Sequence, residues 1–316
     1  MKIIFLGKGQ RGVKCLKTLL DSHHTVQLVV THPQNDKKMD AVAELALNNN
    51  IPFISPVNPN AQDIQEQLAA FNSDMFVLGG YGLIIDRKII DIPRLMTINL
   101  HGGKLPEYRG SSPLNWALIN GDSFFWLSII KVDSGVDTGP ILLERQFPIE
   151  QNDTIEDLHK IANHEFPNML TEVLRQIENN TLNIRGQDKL AGGYWPLRFP
   201  EDGLFFFDQL SAKQVHNLVR GLTTPYPCAR TFLGNRMVKI LKTELCDYSY
   251  HGTPGRVYKI GSRGFLTCAS DSCLWISNAV YADNNESIMP YVKRYDSFTT
   301  LRLSIADILK TNKGIS

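Results

Sequence analysis

The first half of the chain alternates short apolar runs with stretches whose apolar residues recur at helical spacing, the order that a parallel sheet with crossover helices requires. This pattern predicts strands near residues 2–6, 25–31, 52–54, 74–79 and 95–100, and helices near 11–22, 38–49, 61–71 and 113–120. From Phe124 two longer apolar runs, WLSIIKV and ILLERQFPI, flank DSGVDTGP. A Gly- and Asp-rich loop between strands suggests a site rather than a mere turn. Asp153-Thr154-Ile155-Glu156 carries a helix-start signature, and the helix it opens extends towards Ile177, with Glu178-Asn179-Asn180 closing it.

After GGYWPLRFPEDG the pattern shifts to short β-rich stretches: LFFF, RTFLGNRMVKIL with a hairpin at Gly234-Asn235, RVYKI, FLTCA and CLWIS. Only Ser211 to Gly221 reads as helical here. Short strands with Gly-rich turns imply a small barrel or sandwich. The expected fold class is therefore α/β: a Rossmann-like, mostly parallel sheet over residues 1–202, then a smaller β-rich, OB-like domain over residues 203–316. The last stretch, Ile305 to Ser316, ends in polar residues and is expected to fray.

Composition narrows the function classes. The 316 residues, 43% hydrophobic and 21% charged, suit a soluble protein with two cores. Lys and Arg number 33 against 32 Asp and Glu, so no overall field draws in a polyanion, and nucleic acid is not favoured as a partner. The five cysteines, an odd number without a C-x-x-C pair, argue against a zinc site or a disulfide framework. Cys268 and Cys273 flank Ala-Ser-Asp-Ser and read as strand residues on either side of a hairpin turn. The N-terminus lacks a signal-peptide layout, and no apolar run reaches the roughly 18 residues of a membrane span, which implies a cytoplasmic address and no membrane partner.

Two stretches carry candidate chemistry. The first, GKGQRG at residues 7–12, spells G-x-G-x-x-G between a predicted strand and a predicted helix. A dinucleotide site also needs an acid after the second strand, for the ribose hydroxyls. That position reads Thr31-His32-Pro33, and the first acid, Asp36, lies further on in a polar loop, so the motif reads as a structural turn. The second stretch is INLHGGKLPEYRGSSPLNWALINGD, residues 98–122. Asn99 and His101, two apart on a strand, share a face at the carboxyl edge of a parallel sheet, where open α/β folds bind ligands. Asp137 in DSGVDTG is the natural acidic partner. Asn to donate to an oxyanion, His to handle a proton or charge, and Asp to orient the imidazole suit acyl transfer to an amine.

These residues, with Leu105-Pro106, Arg109-Gly110 and Asp137-Thr138-Gly139, resemble the signature of the folate-dependent formyltransferases, a family with methionyl-tRNA, glycinamide ribonucleotide and nucleotide-sugar N-formyltransferases. Gly103-Lys104 departs from the Ser-Leu that many members carry there. The resemblance implies catalytic roles for Asn99, His101 and Asp137 and N10-formyltetrahydrofolate as the formyl donor, with no metal. It implies a donor pocket along Leu83, Ile84, Ile85, Ser111 and the loop Asp133, Ser134, Gly135, Val136. GGYWPLRFPEDG and VHNLVRGLTTPYPCA are similar to the segment after the catalytic domain in nucleotide-sugar formyltransferases, including the one acting on UDP-aminoarabinose; relatives often read PYPGA where this chain has Cys228. That likeness implies a nucleotide-linked amino sugar as substrate, with Tyr108, Arg109, Tyr194, Trp195 and Arg198 on its side of the cleft, and it is compatible with a homodimer. The short segment THPQNDKKMD, where tRNA enzymes carry a longer basic insertion, counts against methionyl-tRNA as the acceptor. Methionyl-tRNA formyltransferase stays the runner-up within the class, and the alternative from another class is a non-catalytic sugar-nucleotide binder that keeps the fold.

Overall fold

The computed structural model describes residues 1–33, 39–188, 190–302 and Ser304. Most of the predicted polar loop around Asp36, Lys189, Leu303 and the expected frayed terminus from Ile305 lie outside the described residues. The chain forms two compact units. The first comprises Met1–Pro113, Phe125–Phe147 and His159–Pro196, and the second Leu114–Phe124, Pro148–Leu158 and the chain from Leu197.

The first half runs β1 (Lys2–Gly7), α1 (Gly9–Leu20), β2 (Thr25–Val30), α2 (Ala41–Asn48), β3 (Phe53–Ile54), α3 (Gln62–Ala70), β4 (Met75–Gly79), α4 (Arg87–Ile90), β5 (Met96–His101), β6 (Arg109–Gly110), α5 (Pro113–Asn120), β7 (Phe124–Lys131), β8 (Ile141–Pro148) and α6 (Ile155–Glu178). Seven strands make one sheet in the order β3-β2-β1-β4-β5-β7-β8. The first five are mutually parallel, and β7 joins β5 antiparallel. Ile3 to Leu6 and Met75 to Leu78 are buried, as strands covered on both faces require, which explains why their sequences are continuous apolar runs rather than alternating ones. In α1 the spacing of Gly12, Cys15, Leu16 and Leu19 places one stripe inward. Burial pushes the Cys15 thiol up to about 12, so it is an inert core residue.

The second unit is built on β10 (Ala229–Leu233), β11 (Arg236–Leu245), β12 (Val257–Gly261), β13 (Gly264–Cys268) and β14 (Cys273–Tyr281), an antiparallel sheet in the order β10-β11-β14-β13-β12. Two shorter elements precede it, β9 (Tyr194–Trp195), which belongs to the first unit, and α7 (Ala212–Leu222). Ser211 caps α7, accepting from Gln214 N while the Gln214 side chain returns to Ser211 N. Phe205, Phe207, Phe265 and Phe298 stack edge and face in its core. The predicted hairpin at Gly234-Asn235 pairs Leu233 with Arg236.

Two features depart from the sequence reading. Cys268 and Cys273 do flank a hairpin turn, but they stand directly opposite each other and their sulfurs are joined, so the expectation of no disulfide is corrected here. The cause is register: cross-strand partners at a tight hairpin bring side chains together that sequence counting treats as two lone thiols. The predicted helix at 113–120 forms, yet from Leu114 it belongs with the second unit, where Asn115 Nδ2 donates to Gly221 O at 2.8 Å. The excursion Pro148–Leu158 is held there too, by α7. Arg220 Nη1 donates to Glu150 O and Asp153 O, and His216 Nε2 to Gln151 O. The carbonyls of an irregular segment have no strand or helix partner, and these donors supply one. Among the described residues no helix is long and apolar enough to cross a membrane.

Candidate active site

Asn99 and His101 lie at the carboxyl end of β5, where the antiparallel pairing with β7 sets Asn99 opposite Ile130 and His101 opposite Ser128. Their side chains share a face because of strand alternation, and Asp137 comes to meet them from the loop between β7 and β8. Asp137 Oδ1 accepts from Asn99 Nδ2 at 3.4 Å, and Asp137 Oδ2 lies 3.5 Å from His101 Nδ1. The trio that the sequence spacing singles out is thus one cluster. His101 is buried, and its second nitrogen, Nε2, is 2.6 Å from Tyr108 O. Both ring nitrogens therefore face acceptors, a carboxylate on one side and a carbonyl on the other. Asp137 holds a left-handed backbone, φ +52°, which turns its carboxylate back towards the strand.

The loop after β5 is braced from several sides. Ser128 Oγ donates to Gly103 O at 2.8 Å and to Glu144 Oε1 at 3.2 Å. Gly110 N donates to Asp137 Oδ2 at 2.9 Å. Gly110 sits at φ +95°, and a side chain there would run into the backbone of Trp195, so only glycine lets β6 and β9 approach. Those two short strands pair in parallel, Arg109 with Tyr194 and Gly110 with Trp195. Sequence reading did not foresee this pairing, because two-residue strands carry no periodicity. Its consequence is that Tyr194 and Trp195, far along the chain, stand one strand away from Asp137. Trp195 stacks on Tyr108 with ring centres 5.3 Å apart, and its indole N–H donates to Glu107 O; Tyr194 is 61% exposed.

The remaining expected residues divide. Arg109 is a correction: it is 1% exposed, and four of its five N–H groups go to Gln187 Oε1, Asp188 O and Ala191 O, so it holds the loop from within rather than standing on an open substrate side. Arg198 belongs to the second unit, where its guanidinium lies 4.5 Å over the Trp116 ring and Nη2 donates to Asp202 O. Leu83 and Ile85 pack into the apolar core of the first unit together with Val132, while Ile84 between them is 73% exposed. That shared cluster ties the segment after β4 to the strand end that leads into the loop at Asp133. In that loop Asp133 Oδ1 accepts from Gly135 N and from Thr138 Oγ1, Ser134 and Gly135 are exposed, and Val136 presents its side chain to solvent. Ser111 N donates to Trp195 O, fixing the turn after β6. One functional neighbour escaped the sequence altogether: Gln187, in the irregular stretch after α6, whose amide reaches the loop of Asp137. No motif or spacing marks it.

The turn GKGQRG opens α1 without any side-chain cap, and Thr31, where a ribose-binding acid would stand, is fully buried at the end of β2.

A Rossmann-like sheet with an amide, an imidazole and a carboxylate converging at its carboxyl edge brings together the groups that acyl transfer to an amine uses. The comparison with known proteins makes the class particular. The formyl transferase family matches residues 1–174, and the formyl transferase C-terminal domain matches residues 199–289. The chain is 32% identical to a methionyl-tRNA formyltransferase of Ruminiclostridium cellulolyticum over 99% of its own length and 97% of the relative's. It belongs to the formyltransferase family and is a formyl-transfer enzyme. Among solved structures it resembles an N-formyltransferase from Helicobacter canadensis, in complex with folinic acid and dTDP-3-aminofucose, with a TM-score of 0.67, 19% identity and coverage of 87% of this chain and 97% of that one. The sugar 3N-formyltransferase WlaRD is similar with a TM-score of 0.65, 20% identity and coverage of 91% and 98%. At these identities the likeness is one of fold.

Proposed function

We propose that the enzyme, in the cytoplasm, transfers the formyl group of N10-formyltetrahydrofolate to the primary amine of a nucleotide-linked amino sugar. The observation that carries the acceptor assignment is the β6–β9 pairing, which sets exposed Tyr194 and the Trp195–Tyr108 stack beside Gly110, the residue whose N–H holds Asp137. Flat aromatic faces next to the reacting centre suit a sugar nucleotide. The near-equal count of cations and anions suits a small diphosphate better than a tRNA stem.

The fit to the donor rests on exposed Ile84 and Val136 on the two loops that the Leu83, Ile85 and Val132 cluster ties together. Apolar side chains standing out on these two loops suit a flat ring. The donor supplies the activated formyl carbon. In the proposed mechanism Asn99 Nδ2 donates to the oxyanion that develops when the neutral amine attacks, and Asp137 keeps that amide and His101 in register. With Nε2–H donating to the Tyr108 carbonyl, His101 takes the amine's proton at Nδ1, beside Asp137 Oδ2, and passes it from there towards the leaving nitrogen. The long contacts of Asp137 to both partners are of the kind that shorten once substrate is seated.

A second reading has its own support: similarity to a methionyl-tRNA formyltransferase over nearly the whole of both chains favours charged initiator tRNA as the acceptor. Steady-state assays with formyl-folate and a panel of UDP- and dTDP-linked amino sugars, beside charged initiator tRNA, separate the two. Turnover on an amino sugar is expected; turnover on tRNA alone would favour the second reading, and turnover on neither would leave a non-catalytic binder.

A further inference from the structure

We propose that Gln187 is a positioning residue for the reaction, locking the loop of Asp137 and the strand that contacts its carboxylate into one hydrogen-bonded circuit. This rests on the reading of Asp137 as the acidic partner of His101. The Gln187 amide uses its full capacity. Nε2 donates to Asp137 O at 2.9 Å and to Gly139 O at 2.7 Å, and Oε1 accepts from Arg109 Nε at 3.2 Å and Nη2 at 2.9 Å. The reversed amide would set NH2 against a guanidinium and oxygen against two carbonyls, so the orientation is fixed by its neighbours.

The circuit closes through the chain. Arg109 is followed by Gly110, whose N–H donates to Asp137 Oδ2. Gln187 therefore grips the backbone of Asp137 on one side and, through Arg109, the donor to its carboxylate on the other. The grip holds Asp137 in a left-handed conformation, φ +52°, that aspartate tolerates better than most residues but that still has to be maintained at one geometry for the carboxylate to face His101. Burial of Arg109 follows from the same arrangement: its charge is held by Gln187 Oε1 and the carbonyls of Asp188 and Ala191 rather than by a carboxylate.

The residue type is specific. A glutamate would keep Arg109 but turn an oxygen towards the carbonyls of Asp137 and Gly139, and an asparagine would be too short to span both partners. Displacements of about 1 Å at a reacting group cost on the order of 10²-fold in rate, so kcat is the quantity that should respond. Gln187→Glu and Gln187→Asn are expected to lower kcat roughly tenfold to hundredfold, with KM for formyl-folate and for the amine acceptor nearly unchanged. In an Asp137→Asn background, Gln187→Glu is expected to cause no further loss, because its effect runs through Asp137. Folding is checked on each variant by circular dichroism, with a Tm within about 4 °C of the parent. If Asp137→Asn is impaired while both Gln187 variants keep parental kcat, or if their losses multiply in full, the positioning role is overturned and the reading of Asp137 stands. Parental kcat in Asp137→Asn itself would overturn both.

Discussion

Two glycine-bearing turns leave the same carboxyl edge of the same sheet, GKGQRG after β1 and HGGKLPEYRG after β5, and they do different things. In the first, glycine answers to crowding by hydrocarbon and backbone: a Cβ on Gly12 would come within 2.8 Å of Val42 Cγ2 and 3.2 Å of Gly79 O. In the second, the backbone holds the proposed catalytic side chains in place. Tyr108 O meets His101, Gly110 N meets Asp137, and Ser111 N meets Trp195 O. The famous spelling belongs to a turn that packs, and the plainer one to the turn that holds the proposed catalytic trio. What distinguishes them is where their polar backbone groups point, not how many glycines they contain.

The contrast can be broken by mutation. The largest effect is expected at the reacting turn: Asn99→Ala should lower kcat by about 10²-fold or more, as loss of an oxyanion donor does, with stability little changed. Near-parental turnover would remove Asn99 from the chemistry. Trp195→Ala should raise KM for the amine acceptor about tenfold through loss of the Trp195–Tyr108 stack beside Gly110, and KM for formyl-folate much less. An equal rise for both would deny that β9 serves the acceptor. At the packing turn Gly12→Ala should reverse the pattern, costing about 1–3 kcal/mol of stability through overpacking while leaving kcat of the folded enzyme intact. Denaturant unfolding and active-site-normalised rates measure the two quantities, and a large kcat loss would mean that GKGQRG takes part in the reaction. A pH effect stands behind the same turn. Burial, with the Arg11 charge adding to it, holds His159 of α6 down to about 4. The unfolded chain binds that proton near pH 6.5 and the folded one does not until about pH 4, so stability should fall as pH drops through this window. His159→Gln should flatten that part of the stability profile, and an unchanged slope would contradict the assignment. Last, calorimetry with NAD and NADP should give no heat of binding at millimolar ligand, since no carboxylate stands at Thr31. A micromolar Kd would return GKGQRG to the dinucleotide class.

How much of this was legible in the sequence follows from the range of the forces involved. The strands β1 and β4 were legible because two-face burial writes itself as an uninterrupted apolar run, and β5, MTINLH, because its apolar residues alternate with polar ones. The pairing of Asn99 with His101 was legible because strand alternation is local. Asp137 could be named because its loop composition marks a site. The aromatic pair Tyr194-Trp195 could be named but not located, since its place depends on a two-residue strand pairing across the chain. Arg109 was misread for a related reason: a charge in a motif looks available until the carbonyls of Asp188 and Ala191, which have no side-chain signature, are seen to hold it. Gln187 was invisible because four hydrogen bonds from one amide leave no periodic trace. The disulfide was missed because parity of cysteine count says nothing about cross-strand register.

The central claim is that this formyl-transfer chemistry serves a nucleotide-linked amino sugar, and the direct measurement is acceptor turnover as a function of salt. Purified enzyme with N10-formyltetrahydrofolate is assayed in parallel on UDP- and dTDP-linked amino sugars and on charged initiator tRNA, with products identified by mass. The account predicts N-formyl sugar formation with a shallow salt response, because a diphosphate offers few contacts. Efficient formylation of tRNA with log K falling by nearly one per phosphate contact per tenfold salt, and no turnover on any amino sugar, would contradict it.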